Sequence, residues 1–205
     1  MTRKIDILLK KRAKQQRSIA TVGAIVEAAT YILTHHGRAG FTANKVVEKA
    51  GVNIASFYQY FPNKEALLFH IIKLNWEKQL AKLLPILRQR GRDHARRLRD
   101  FIREFFIVEA AEADLRRALR AASIDLKDTE EFQALISKGV ELIGGFIKEA
   151  VKDQTPDELD FNVNFVVLLI TSFAERTTDE QTSGAYLIRQ ADLLSDMLIG
   201  QFKLS

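Results

Sequence analysis

Apolar residues recur three and four positions apart along most of the chain, and no stretch between turns alternates residue by residue as a half-buried strand would. From Thr21 to His36 the residues Ile25, Ala28, Ala29, Ile32 and Leu33 make one helical stripe, and Gly37 stands where a helix C-cap favours glycine. "FTANKVVEKAGV" predicts a short second helix: Thr42 as N-cap, Val46, Val47 and Ala50 as the inner face, Gly51 as the stop. Asn53 is the N-cap candidate of a third short segment that runs to Tyr60 or Phe61. Pro62 and Asn63 open a longer helix, "KEALLFHIIKLNWEKQLAKLL", which is expected to end near Pro85. Beyond it, "RDHARRLRDFIREFFIVEAAEADLRRALRAASIDL" predicts a long helix and a shorter one with a break near Ala113. "TEEFQALISKGVELIGGFIKEAVKD" predicts another, and "DELDFNVNFVVLLITSFAERT" and "SGAYLIRQADLLSDMLIGQFK" the last two. The expected fold is all-α, with about nine helices and no internal repeat.

Two short helices joined by a tight turn at Gly51 form a helix-turn-helix unit. Its second helix carries four aromatics, "FYQYF", before a proline. A helix starting near Asn53 puts Phe57 and Phe61 four apart on one face, where they can pack on Val46, Val47, Ile25 and Leu33. Tyr58 and Tyr60 then fall at the rim with their hydroxyls outward. A hydroxyl at the end of a rigid ring suits a phosphate oxygen, and Lys64 and the first-turn amides of the next helix reach the same backbone. The plainer alternative is two ordinary boundary tyrosines.

Charge separates these readings better than composition does. The 205 residues are 47% apolar and 28% charged, a balance ordinary for a globular protein. There is no cysteine, which excludes disulfides and thiolate zinc sites and fits an intracellular compartment. The patch from Ile5 to Leu9 is too short for a signal-peptide core, and "FVVLLI" at Phe165 to Ile170 is far short of a membrane span. A soluble cytoplasmic protein without a membrane partner is expected. Residues 1–64 hold eleven Lys and Arg against three acids, a net of +8, whereas the remainder carries −3. Such asymmetry points to a basic module that meets a polyanion. Because seven of the eleven bases lie in the first seventeen residues, a merely solvated tail is the alternative. The expected organisation is a flexible basic arm at 1–17, a helix-turn-helix DNA-binding domain at 18–64, and a helical ligand-binding and dimerisation domain at 65–205.

"FTANKVVEKAGVNIASFYQYFPNKEALL", behind a helix ending in glycine, resembles the DNA-binding domain of the TetR (tetracycline-repressor) family of bacterial transcription regulators. The resemblance covers roughly residues 20–70; the rest agrees only in helix count and length. It implies a homodimer on palindromic double-stranded DNA, with a small-molecule pocket in the body and ligand binding that changes the distance between the two modules. Thr42 then matches a backbone contact, and Tyr58, Tyr60 and Lys64 match phosphate contacts. Asn53, Ile54, Ala55, Ser56 and Gln59 take the positions that face the major groove. Ile54 departs from a frequent polar residue, Ala55 from glycine, and Tyr60 from a common histidine. Isoleucine and alanine can touch only a thymine methyl, which leaves Gln59, Ser56 and Asn53 for polar readout and predicts a weakly held half-site containing A·T pairs. The basic arm either follows phosphates or enters the minor groove, or else is simply solvated.

Other chemistry is sparse. His35 and His36 are adjacent and diverge on a helix; His70 and His94 are isolated. No Glu-x-x-His, phosphate-binding glycine loop, GxGxxG or HExxH occurs, so neither an enzyme nor a metal or cofactor is expected. The seven arginines from Arg88 to Arg103 either bind an anionic ligand group or are a solvated helix start balanced by Asp93, Asp100 and Glu104. Phe101, Phe105, Phe106, Phe132 and Phe146 are the pocket candidates for an apolar or amphipathic effector. Phe161, Phe165, Leu168, Leu169 and Phe173, with Tyr186, Leu193, Leu194, Met197 and Leu198, are expected to form a two-fold four-helix interface. The reading is a ligand-responsive DNA-binding regulator, a repressor by resemblance. The alternative is an all-helical small-molecule or lipid-binding protein that does not act on DNA.

Overall fold

The computed structural model describes residues 5–11, 13, 15–89, 91–180 and 183–205, and all regular structure among them is helical. The α-helices are α1 (Gln16–Gly40), α2 (Ala43–Ala50), α3 (Ile54–Tyr60), α4 (Lys64–Leu87), α5 (His94–Ala111), α6 (Ala113–Ala122), α7 (Glu130–Ala150), α8 (Pro156–Asp179) and α9 (Gly184–Phe202). A 3-10 turn, Ser123–Leu126, links α6 to α7. The all-α expectation holds, and the break near Ala113 falls at Glu112, between α5 and α6.

The chain divides into two compact units, residues 1–76 with 114–135, and residues 77–113 with 136–205. The first is larger than the expected 18–64 domain: it takes in the first half of α4 and α6 from Asp114 onward. Its core joins Ile25, Ala28, Ala29, Ile32 and Leu33 of α1 to Val46 and Val47 of α2, Phe57 and Tyr60 of α3, and Leu67, Leu68 and Ile71 of α4. Helix α1 is long and apolar enough to cross a membrane by length and composition, and Ile25, Ala28, Ala29, Ile32 and Leu33 on it are buried in this core. Gly37 (φ 60°) interrupts α1 as its position predicts, and a further turn continues to Gly40.

In the second unit Leu83 and Leu87 of α4 pack with Leu98, Phe101, Ile102 and Phe106 of α5 and Ile143, Phe146 and Ile147 of α7. Val163, Val166, Ile170 and Ala174 of α8 and Leu187, Ala191, Leu194 and Leu198 of α9 complete the core. Helix α4 ends at Leu87, near Pro85 as expected, with the proline inside its last turn. Proline lacks the amide that would donate to the Ala81 carbonyl, and the helix ends two residues later. The N-terminus of α8 is set by a capping box, in which Thr155 and Glu158 each accept from the other's backbone amide.

Candidate nucleic-acid interface

The interface is built from α2, α3 and the turn between them, and the caps assign their ends. The Thr42 hydroxyl accepts from the Lys45 amide at 3.3 Å, and the Asn53 carboxamide accepts from the Ala55 amide at 2.7 Å. Gly51 sits in the left-handed region (φ 64°, ψ 31°); its amide donates to the Glu48 carbonyl and the Val52 amide to the Val47 carbonyl. This is a Schellman closure, which needs a residue without a Cβ penalty at that φ. Asn63 supplies the corresponding start for α4 by accepting from the Ala66 amide at 2.7 Å.

Helix α3 has two opposite faces. Asn53, Ile54, Ala55, Tyr58 and Gln59 are exposed and Ser56 half-buried, whereas Phe57 is wholly buried. Tyr58 is 46% exposed, and its ring leans edge-on against Phe57 with centroids 5.2 Å apart. The expected rim position of Tyr60 is corrected, since only 5% of that residue is exposed. Tyr60 follows Phe57 by three residues and therefore shares its inward face at about 100° per residue. Phe61, expected on the helix with Phe57, is instead the C-cap in extended geometry (φ −115°, ψ 120°) and enters the core from there. The inner face thus takes three aromatics, and the outer face keeps one tyrosine. Lys64 is half-buried, and its ammonium donates to the Phe41 carbonyl at 3.4 Å. On α2, Lys45 is exposed, and the Lys49 ammonium stands 3.4 Å above the Tyr31 ring.

The flexible-arm expectation for residues 1–17 is also corrected over part of its length. Ile7 is 1% exposed and belongs to the first unit's core, and the Lys10 amide donates to the Tyr60 carbonyl at 2.9 Å. Residues 1–4, 12 and 14 lie outside the described residues. From residue 16 onward the arm is already α1.

The second unit contains a cavity of about 600 Å³ lined by Leu87, Arg88, Arg97, Glu141, Leu142, Gly145, Phe146 and Glu149. Of the five phenylalanines proposed for a pocket, only Phe146 lines it. Phe101 and Phe106 are buried in the core with Phe105 packed against it, and Phe132 belongs to the first unit. The five share an aromatic character but not a face.

The arginine cluster is neither a free anion site nor balanced chiefly on its own helix. Arg97, 5% exposed, bonds Glu149 on α7 through both terminal nitrogens (2.6 and 3.1 Å) and also the Leu87 carbonyl. Arg99 pairs with Asp196, and Arg103 with Asp192 at 2.8 Å, both on α9. Asp93 is the N-cap of α5. Arg92 bonds Asp100 at 2.7 Å, as the local expectation has it. Hydrogen bonding by Arg97, helped by His94, holds the Glu149 carboxyl well below the usual range, at about 2.

Of the expected interface residues on α8 and α9, Phe161, Phe165, Leu168, Tyr186, Leu193 and Met197 are exposed, from 39% for Phe165 to 68% for Phe161. Leu194 and Leu198 are corrected: both are buried in their own unit's core. Leu169 and Phe173 are half-buried against it. Among the described residues no three His, Asp or Glu side chains lie close enough together to hold a metal.

A helix-turn-helix of this geometry, in an all-helical chain with a larger helical body, defines a class of DNA-binding transcription regulators. Residues 25–71 match the family model "Bacterial regulatory proteins, tetR family". No curated protein sequence matches the chain. Among solved structures it is similar to the fatty acid degradation regulator FadR from Bacillus halodurans (15% identity, TM-score 0.71), covering 95% of this chain and 100% of that one. FadR from Bacillus subtilis, solved in complex with stearoyl-CoA, is 17% identical with TM-score 0.69 (86% and 97% covered). A TetR family regulator from Marinobacter aquaeolei is 19% identical with TM-score 0.67 (89% and 97% covered). At these identities the likeness shows the fold. Residues 25–71 carry the tetR-family match, and the chain as a whole has the fold of these transcriptional regulators.

Proposed function

We propose that the protein is a cytoplasmic repressor that binds a palindromic operator as a homodimer and responds to a small apolar or amphipathic effector. The observation that carries the reading is the exposed face of α3, where five residues from Asn53 to Gln59 stand free of a core that anchors the opposite face. Gln59, Ser56 and Asn53 are the polar readers, and Ile54 and Ala55 the thymine-methyl contacts. Thr42, Tyr58 and Lys64 serve the phosphates; Tyr60, with its buried ring, supports α3 from behind.

The exposed stripe on α8 and α9 supports a second copy of the chain as partner. Phe161 and Phe165 stack with centroids 6.1 Å apart, and Leu168, Leu193 and Met197 extend the apolar surface. Six large apolar side chains left on two helices make a patch of the kind that marks an interface. Two modules related by a two-fold axis would reach successive major grooves about 34 Å apart. The cavity beside Phe146, Leu87 and Leu142, with Arg88 and Arg97 on its wall, is the proposed effector site, and its mixed lining suits an amphipathic molecule. The stearoyl-CoA complex of one structural neighbour makes acyl amphiphiles the first compounds to screen.

Selection of random duplex DNA by the purified protein tests the reading. An enriched palindrome with A·T pairs in its half-sites, bound with a steep salt dependence, is expected. Enrichment of G·C-only half-sites would refute the base-reading assignment, and no enrichment with or without candidate effectors would refute the operator.

A further inference from the structure

The segment "IDILLKK", Ile5 to Lys11, is placed where a flexible arm was expected, and its burial alternates. Ile7 is wholly buried, Ile5 and Leu9 pack partly against the same core, and Asp6, Leu8 and Lys10 face outward. Three bonds fasten the segment to α3 and to the residues that follow it, and a fourth, between Leu8 and Asp6, lies within the segment. The Lys10 amide donates to the Tyr60 carbonyl at 2.9 Å and the Lys10 ammonium to the Tyr58 carbonyl at 3.3 Å. The Asn63 carboxamide donates to the Asp6 carbonyl at 2.8 Å, and the Asp6 carboxylate accepts from the Leu8 amide at 3.3 Å.

The last carbonyls of a helix lack intrahelical donors, and two of those in α3 are satisfied here by one residue. Its ammonium also stands at the negative end of the helix dipole. A helix of seven residues is too short to hold itself in water, so an external cap matters more to it than to α4 or α8.

We propose that residues 5–11 form a strap that braces α3 and gives the DNA-binding module an additional phosphate-binding site, the Lys10 ammonium beside Tyr58, with Ile7 as the pin. An ammonium has three donors, and the bond to the Tyr58 carbonyl uses one. The other two are exposed at the carbonyl of the residue whose hydroxyl is the main phosphate contact on α3. Contact of this kind positions the protein without reading sequence, so Lys10 adds affinity alike on every duplex. A free arm entering the minor groove is a different device, since docking by Ile7 removes this stretch of chain from that role. The inference rests on the DNA-binding reading above.

The test is a salt titration of binding to the duplex selected by the wild type and to an unrelated duplex of equal length. Lys10→Gln keeps a donor for the Tyr58 carbonyl but removes the charge. It is expected to weaken both complexes severalfold and to lower the salt slope by about 0.9, one phosphate contact, while Lys10→Arg restores both. Ile7→Ala, if its thermal unfolding remains cooperative, is expected to lose the same increment of slope and to become protease-sensitive before residue 16, whereas Ile7→Val stays near wild type. An unchanged slope in Lys10→Gln overturns the phosphate site, and a folded Ile7→Ala with unchanged slope and protease resistance overturns the pin. If Ile7→Ala does not fold, Lys10→Gln and Ile7→Val decide. Absence of salt-dependent binding by the wild type would overturn the DNA-binding reading itself, which separates that failure from failure of the strap.

Discussion

The two compact units are made of the same material, amphipathic helix, yet they leave opposite surfaces uncovered. The first buries Phe41, Phe57, Tyr60 and Phe61, and presents on α3 a mixed face in which Asn53, Ala55 and Gln59 stand beside Ile54 and a single tyrosine, Tyr58. The second leaves Phe161, Leu168, Tyr186, Leu193 and Met197 more than half exposed. Its polar groups are drawn into interhelical ion pairs: Arg97 with Glu149, Arg99 with Asp196, Arg103 with Asp192. A polar helix face suits a groove of hydrogen-bonding base edges, and an apolar one suits another protein surface. The units differ as well in what defines their helices. In α2 and α3 each end is marked by a local cap, because helices of seven and eight residues have little else to define them. In α5, α7, α8 and α9 long stripes meet across the core of the second unit.

The comparison can be broken most severely at Phe57. Phe57→Ala should cost about 3–5 kcal/mol, because it removes a wholly buried ring from the small core that carries α3. Thermal unfolding followed by circular dichroism would reveal it; a loss below 1 kcal/mol would mean that α3 is not anchored as described. The corresponding blow to the second unit falls on its surface. Leu168→Glu with Leu193→Glu should leave each protomer folded and abolish self-association, so sedimentation velocity should return a 23.3 kDa species. A dimer that survives both charges would place the interface elsewhere.

Smaller effects sharpen the contrast. Gly51→Ala forces a Cβ into the left-handed region and should cost about 1–2 kcal/mol, although nothing lies within 4 Å of the added atom. A neutral result in denaturant titration would mean that the turn relaxes. Tyr58→Phe should weaken binding by about 0.5–1.5 kcal/mol on specific and unrelated duplexes alike, the net worth of one hydrogen bond. Gln59→Ala should instead change which base is preferred, and binding arrays would separate the two. The Glu149 carboxyl, held at about 2 by Arg97, contributes stability that is fully present above the ordinary glutamate range. That contribution is lost as pH falls from the ordinary range through about 2. Glu149→Gln should flatten this part of the acid-unfolding curve, and an unchanged curve would show the pair to be energetically idle.

What could be read before the structure follows the same division. Thr42, Gly51 and Asn53 were legible because capping and left-handed turns are local chemistry, decided within four residues. The all-α class was legible from the three-and-four spacing. Pairing Phe57 with Phe61 on one face requires the helix to continue through Phe61; with α3 ending at Tyr60, Phe61 enters the core from an extended C-cap and Tyr60 takes the inward place beside Phe57. Residues 5–11 were hidden by their charge. The alternation of Ile5, Ile7 and Leu9 was present, but in a basic tail it reads as solvated chain until the core that receives it is known. The partners of Arg97, Arg99 and Arg103 lie 52, 97 and 89 residues away, beyond any helical spacing. Leu194 and Leu198 share a helix with Leu193 and Met197, and periodicity alone does not say which stripe faces its own core.

Binding stoichiometry on an intact palindrome, compared with the same duplex carrying one scrambled half-site, tests the central claim most directly. The expected result is two protomers per intact duplex, bound with a single transition, and a loss of at least tenfold in affinity when one half-site is scrambled. One protomer per duplex, held equally well by a single half-site, would contradict an operator read by two copies of α3 spaced by the α8–α9 surface.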